Sequence, residues 1–131
     1  MSVALESALT RSTDASWQSR RAAAVDLGRL LPDAAAFERL VAMIDDAEDT
    51  SVGRQAASEL ARHGGTEGLA AVVRAYATLD DDIGYHLSGA LGALWHQHRF
   101  PLPERLGALR ASDDPDVARG AEELAADLGT G

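Results

Sequence analysis

Residues 49–79, DTSVGRQAASELARHGGTEGLAAVVRAYATL, run from Asp49 to Leu79 and decide the fold. Val52, Ala56 and Leu60 recur at helical spacing, and so do Leu69, Val72, Val73 and Tyr76. Between the two apolar stripes stand Arg62, His63, Gly64, Gly65 and Thr66, a stop signal followed by a start signal. Gly64 or Gly65 can take the left-handed conformation that closes one helix, and Thr66 is expected to cap the next. The stretch therefore reads as a helical hairpin of about thirty residues.

Working outward, the same unit recurs. Ser2 to Thr10 reads as a short helix that covers one end of a stack, within a capping segment 1–14. Trp17 to Leu31 is a leading helix with Ala23, Leu27 and Leu31 on one stripe. Pro32 fits the first turn of the following helix, which runs Ala34 to Ile44 with Phe37, Leu40, Val41 and Ile44 on one face. The second pair is Ser51 to His63 and Thr66 to Leu79. Ile83 to Trp95 is a third leading helix. Pro101 and Pro103 interrupt the chain after it, Glu104 to Arg110 forms a short helix, and Asp116 to Leu128 is the last. Residues 129–131 are expected to fray. Leu27, Leu60, Leu91 and Leu124 occupy equivalent places, at spacings of 33, 31 and 33 residues, the mark of a stacked repeat. Leu60 and Leu91 are therefore expected to be buried between adjacent pairs.

Composition fits this plan. The 131 residues suit a single repeat domain spanning 1–131. Hydrophobic residues make up 46% and aromatics 5%, so the core must be built from Ala, Leu and Val. Cysteine is absent, which leaves no disulfide framework and no thiolate metal site. All twelve basic residues are arginine, and the net charge is −9. An acidic surface repels phosphate and attracts basic partners, so nucleic acid is not an expected ligand. The N-terminal stretch lacks a basic leader, and no run has the length of a membrane span; a soluble, cytoplasmic setting without membrane contact is expected.

The segments WQSRRAAAVDLG, DTSVGRQAASELARHGG and DPDVARGAEELAADLG resemble HEAT repeats, particularly the bacterial kind. The usual features of such repeats are an Asp-containing turn, then Val or a similar residue, Arg, a pair of small residues, and Leu-Gly or Leu-Ala. The resemblance covers roughly residues 17–129. It implies an all-α fold, a short α-solenoid of stacked antiparallel helix pairs with about three and a half repeats. It further implies a concave surface lined by the second helix of each pair. Architecture of this kind does not specify an activity.

Two surfaces are candidates for partner binding. One is the concave face, where Glu38, Arg39, Glu67, Arg74 and Arg105 would point outward. The other is an edge of acidic turns containing Asp45, Asp46, Asp80, Asp81 and Asp113, whose structural alternative is simple helix capping. Trp17 and Trp95 read as aromatic anchors between helices. His96 and His98 are two apart and point in different directions on a helix, and with His86 they lack a full ligand set, so no metal is assigned. No phosphate loop, nucleophile elbow or His-Glu metal motif is present; catalytic residues and cofactors are assigned as none. The expected function is a non-enzymatic protein-interaction scaffold. The narrower alternative is an immunity or antitoxin-like protein masking a basic toxin. A second alternative is an accessory or lyase-like subunit. A DNA-alkylation glycosylase is disfavoured, because that resemblance implies a basic groove and a longer chain. Oligomeric state is left open.

Overall fold

A computed structural model describes residues 2–46 and 48–130. Among them the chain forms helices α1 (Val3–Arg11), α2 (Trp17–Arg29), α3 (Ala34–Met43), α4 (Thr50–His63), α5 (Gly65–Thr78), α6 (Asp81–His98), α7 (Leu102–Leu109) and α8 (Pro115–Leu128), with no strand among the described residues. The architecture is a short α-solenoid. A single apolar cluster runs from Leu5 and Ala8 in α1 to Leu124 and Ala125 in α8, and the four repeat leucines Leu27, Leu60, Leu91 and Leu124 are all fully buried in it.

The acidic turns start helices. Asp33 accepts from Ala36 N at 3.0 Å, Asp80 from Ile83 N at 2.9 Å, and Asp114 from Asp116 N at 2.9 Å. Asp49 accepts from Ser51 N at 2.8 Å. Each satisfies a backbone donor that a helix leaves unpaired and sets negative charge at the positive end of its dipole. Asp33 is the cap of α3, so Pro32 lies just outside that helix, not in its first turn.

The hairpin between α4 and α5 is tighter than its sequence implies. Gly64 alone separates the two helices, Gly65 takes φ +64°, and no side chain caps α5. Thr66 therefore sits inside the first turn and caps nothing. The reason is the approach of Gly68 to α4: a Cβ at position 68 would collide with the Leu60 carbonyl oxygen. Glycine at 64, 65 and 68 lets the start of α5 lie against the last turns of α4. The third leading helix is longer than expected. It extends to His98 and closes on Arg99, which has φ 57° and αL geometry, with Phe100 N bonded to Leu94 O at 3.1 Å. Pro103 is accommodated in the first turn of α7, where no backbone donor is missed.

The leading helices α2, α4 and α6 pack in one row, and α5 pairs with α4 behind it. The last helix departs from this pattern. α8 carries a leading-helix sequence, yet it packs chiefly on α5 and touches α6 only slightly. Gly120 makes this possible: a Cβ there would lie 2.6 Å from the Val73 carbonyl oxygen. Polar contacts hold the crossing on either side, from Arg74 to Asp114, from Arg119 to the Ala77 carbonyl at 3.3 Å, and from the Tyr76 hydroxyl to Asp127. Short α7 buries Leu102, Leu106 and Leu109 and bridges α6 to α8. At the chain end, Gly129 takes φ 70° and Thr130 N returns to Ala125 O at 2.9 Å. These two residues cap α8; Gly131 lies outside the described residues.

Candidate functional site

Several of the ten residues expected to bind a partner are already engaged within the chain. Arg39 is half-buried and ties α3 to the end of α1, donating to Ser12 Oγ at 2.9 Å and Ser12 O at 3.1 Å. Arg74 pairs with Asp114 at 2.7 Å. Arg105 lies over the Phe100 ring, 5.3 Å from its centroid. Asp80 is the cap of α6. Glu38, Asp45, Glu67, Asp81 and Asp113 are exposed.

Asp46 is the clearest departure from a docking role. Its side chain is 11% exposed and that of its partner Arg20 is 8%, at 2.8 Å. Arg20 also donates to the carbonyls of Asp14 and Ala15, and Asp46 accepts from Glu48 N and Asp49 N. The pair stitches α2 to the turns on either side of it. Burial pushes the Asp46 carboxyl up, but the hydrogen bonds from Arg20 and from the backbone at Asp49 and Glu48 outweigh it, so the group stays below its ordinary range. Of the turn 45–48, Ala47 lies outside the described residues.

Glu59, which carries no sequence signal of its own, is a carboxylate buried in the α2–α4 interface at 5% exposure. It occupies the space left by Gly28, where a Cβ would collide with it, and accepts from Gln55 Nε2 at 2.9 Å. Burial raises its pKa, opposed by the Gln55 hydrogen bond and by the charges of His63, Arg62 and Arg29. A carboxyl raised in the folded state keeps its proton longer than in the unfolded chain, so stability falls as pH rises from the ordinary value of 4.5 through the folded one. Glu59→Gln is therefore expected to raise the melting temperature at pH 7, with the gain vanishing below pH 4.5. Thermal melts at the two pH values check this, and a lower melting temperature at pH 7 would contradict it.

Two open grooves flank the solenoid. One, of about 340 Å³, lies at the N-terminal half between Ser12, Arg20, Arg39 and Asp45, and there Arg20 meets Asp46 and Glu48. The other is larger, about 530 Å³, and lies between α5, α6 and α8. Tyr76, Tyr85, Asp81, Glu123 and Asp127 line it, with Gly84 at its floor. Tyr85 is 75% exposed. Of these, only Asp81 was legible as a binding residue; the others lie on three helices up to 51 positions apart (Tyr76 to Asp127), with no spacing to link them. Trp17, expected in the core, is 39% exposed and flanks a shallow depression beside Arg21 and Gln55. Val41 is exposed as well, whereas Trp95 packs against the core. Among the described residues no group of three or more His, Asp or Glu side chains is arranged to hold a metal ion.

A family model described as HEAT repeats matches residues 3–94. No curated protein matches the chain significantly. The matched region takes in α1 to α5 and most of α6, the part in which the leading helices stack regularly, and stops before α7 and α8. With most of its length matched and its repeat leucines buried at the stacking interfaces, the chain belongs to the HEAT-repeat family.

Proposed function

We propose that the chain is a non-enzymatic docking module for a basic protein, working in the cytoplasm as a single domain. HEAT repeats generally mediate protein–protein interaction and typically serve as scaffolds without catalysis. The observation that carries the finer reading is the distribution of free acid. Asp33, Asp49, Asp80 and Asp114 are consumed as helix caps, and Asp46 as a buried pair. Exposed carboxylates also stand elsewhere, at Glu38, Asp45, Glu67 and Asp113, but Asp81 and Glu123 line one groove with Asp127 at the α6–α8 end, beside an exposed tyrosine. With a net charge of −9, this end attracts cationic surfaces and repels phosphate. Masking of a basic toxin is the narrower form of the same reading; no observation favours a lyase-like role, and an acidic groove gives a glycosylase no hold on DNA. No helix among the described residues is long and apolar enough to cross a membrane.

Affinity capture from a lysate of the source organism tests the reading. A basic protein is expected to bind at low salt and to be released near 1 M salt, where the screening length falls to about 3 Å. A partner that is acidic, or that stays bound at that salt, would contradict it.

A further inference from the structure

The groove between α5, α6 and α8 has features that the overall charge does not explain. Its walls are two tyrosines. Tyr76 is half-buried and fixed by its hydroxyl bond to Asp127, while Tyr85 stands largely in solvent. The only ring packed on Tyr85 among the described residues is His86, edge-on at 5.5 Å. Several carboxylates elsewhere are met by arginine, Asp26 by Arg11, Asp46 by Arg20 and Asp114 by Arg74. Here Asp81 has no cationic partner among the described residues, and Glu123 has only Arg119 at 3.8 Å, which is turned to Asp116 at 3.0 Å. Gly84 lines the groove beside Tyr76, and a Cβ there would sit 3.7 Å from the Tyr76 ring, in ordinary contact.

We propose that this groove receives an arginine side chain from an extended segment of the partner, the guanidinium stacking on Tyr85 and pairing with Asp81 and Glu123. The assignment rests on the docking reading above and names its site. Arginine fits better than lysine for a geometric reason. Its planar fork stacks on an aromatic face and presents paired N–H groups to carboxylates, whereas an ammonium is a strongly hydrated point charge. The molecule already makes the same stacking internally, Arg105 over Phe100. A volume of about 530 Å³ holds such a side chain with its neighbours.

The test uses the full chain and two probe peptides, acetyl-Gly-Arg-Gly-Arg-Gly-amide and its lysine counterpart, followed by NMR titration at low salt. The arginine peptide is expected to bind saturably, shift the amides of Tyr76, Gly84, Tyr85 and Ser88, and bind more tightly than the lysine peptide. Tyr85→Ala, at an exposed position, should weaken it about three- to thirtyfold. Asp81→Asn with Glu123→Gln should abolish most of the remainder. Gly84→Ala should leave the melting temperature unchanged or raised, yet still weaken the peptide. Equal affinity of the wild type and these variants, shifts confined to other surfaces, equal binding of both peptides, or no saturable binding into the millimolar range would each overturn the assignment. A basic protein captured equally by the wild type and Tyr85→Ala would remove the groove and leave the docking reading intact. Failure of all salt-sensitive capture would remove the docking reading itself.

Discussion

Leu60→Ala is expected to destabilise the protein by about 2–5 kcal/mol. Leu60 is fully buried in α4, and α4 is the helix on which α2, α3, α5 and α6 all pack. Truncating it removes the transfer energy of the lost methyl groups and leaves a cavity that neighbouring helices cannot close. Ala56, Ala57 and Ala61 on the same helix are fully buried and already small, so they offer no side chain to fill the space. Against a total stability of about 5–15 kcal/mol, this is a large fraction. Leu91→Ala, at the equivalent place in α6, should cost a comparable amount. Urea unfolding of both variants checks the expectation. A midpoint within error of the wild type would mean that the repeat leucines are not the stacking residues.

Asp46→Ala is expected to cost about 1–3 kcal/mol, because it leaves Arg20, 8% exposed, with only the Asp14 and Ala15 carbonyls and Glu48 at 3.6 Å, and takes the acceptor from two backbone N–H groups. The loss has a pH signature. Asp46 titrates below the ordinary aspartate value of 3.8 in the folded protein, so its contribution is complete above that value and is lost as pH falls through the folded one. The gap between wild type and variant should therefore be full at pH 7 and shrink below pH 3.8. Denaturant titrations at several pH values measure it. A gap that is small at pH 7, or that widens with acid, would show that the pair does not hold α2 to the turns beside it.

These two variants also mark what could be read from sequence and what could not. Leu60 stands in a period of 33 and 31 residues, and burial at such a period follows from the need of each hairpin for neighbours. Asp46 stands in an acidic turn like those at Asp80 and Asp113, and sequence gives no sign that it alone faces a buried arginine 26 positions earlier. The last helix posed a similar difficulty. Val117, Ala121 and Leu124 repeat the leading-helix stripe, but a stripe records only that one face is buried, not which row of helices buries it. Gly120 against Val73 decides that, and the decision creates the groove. Trp17 is exposed because a large aromatic at a helix start can face either way, and sequence does not say which.

The most direct measurement is hydrogen exchange on the complex with a captured basic partner, compared with the free protein. The account predicts added protection at residues 76–88 and 119–128, with the turn at 43–50 unchanged. Protection confined to the α3 side, with the α5–α6–α8 groove exchanging as in the free protein, would contradict it.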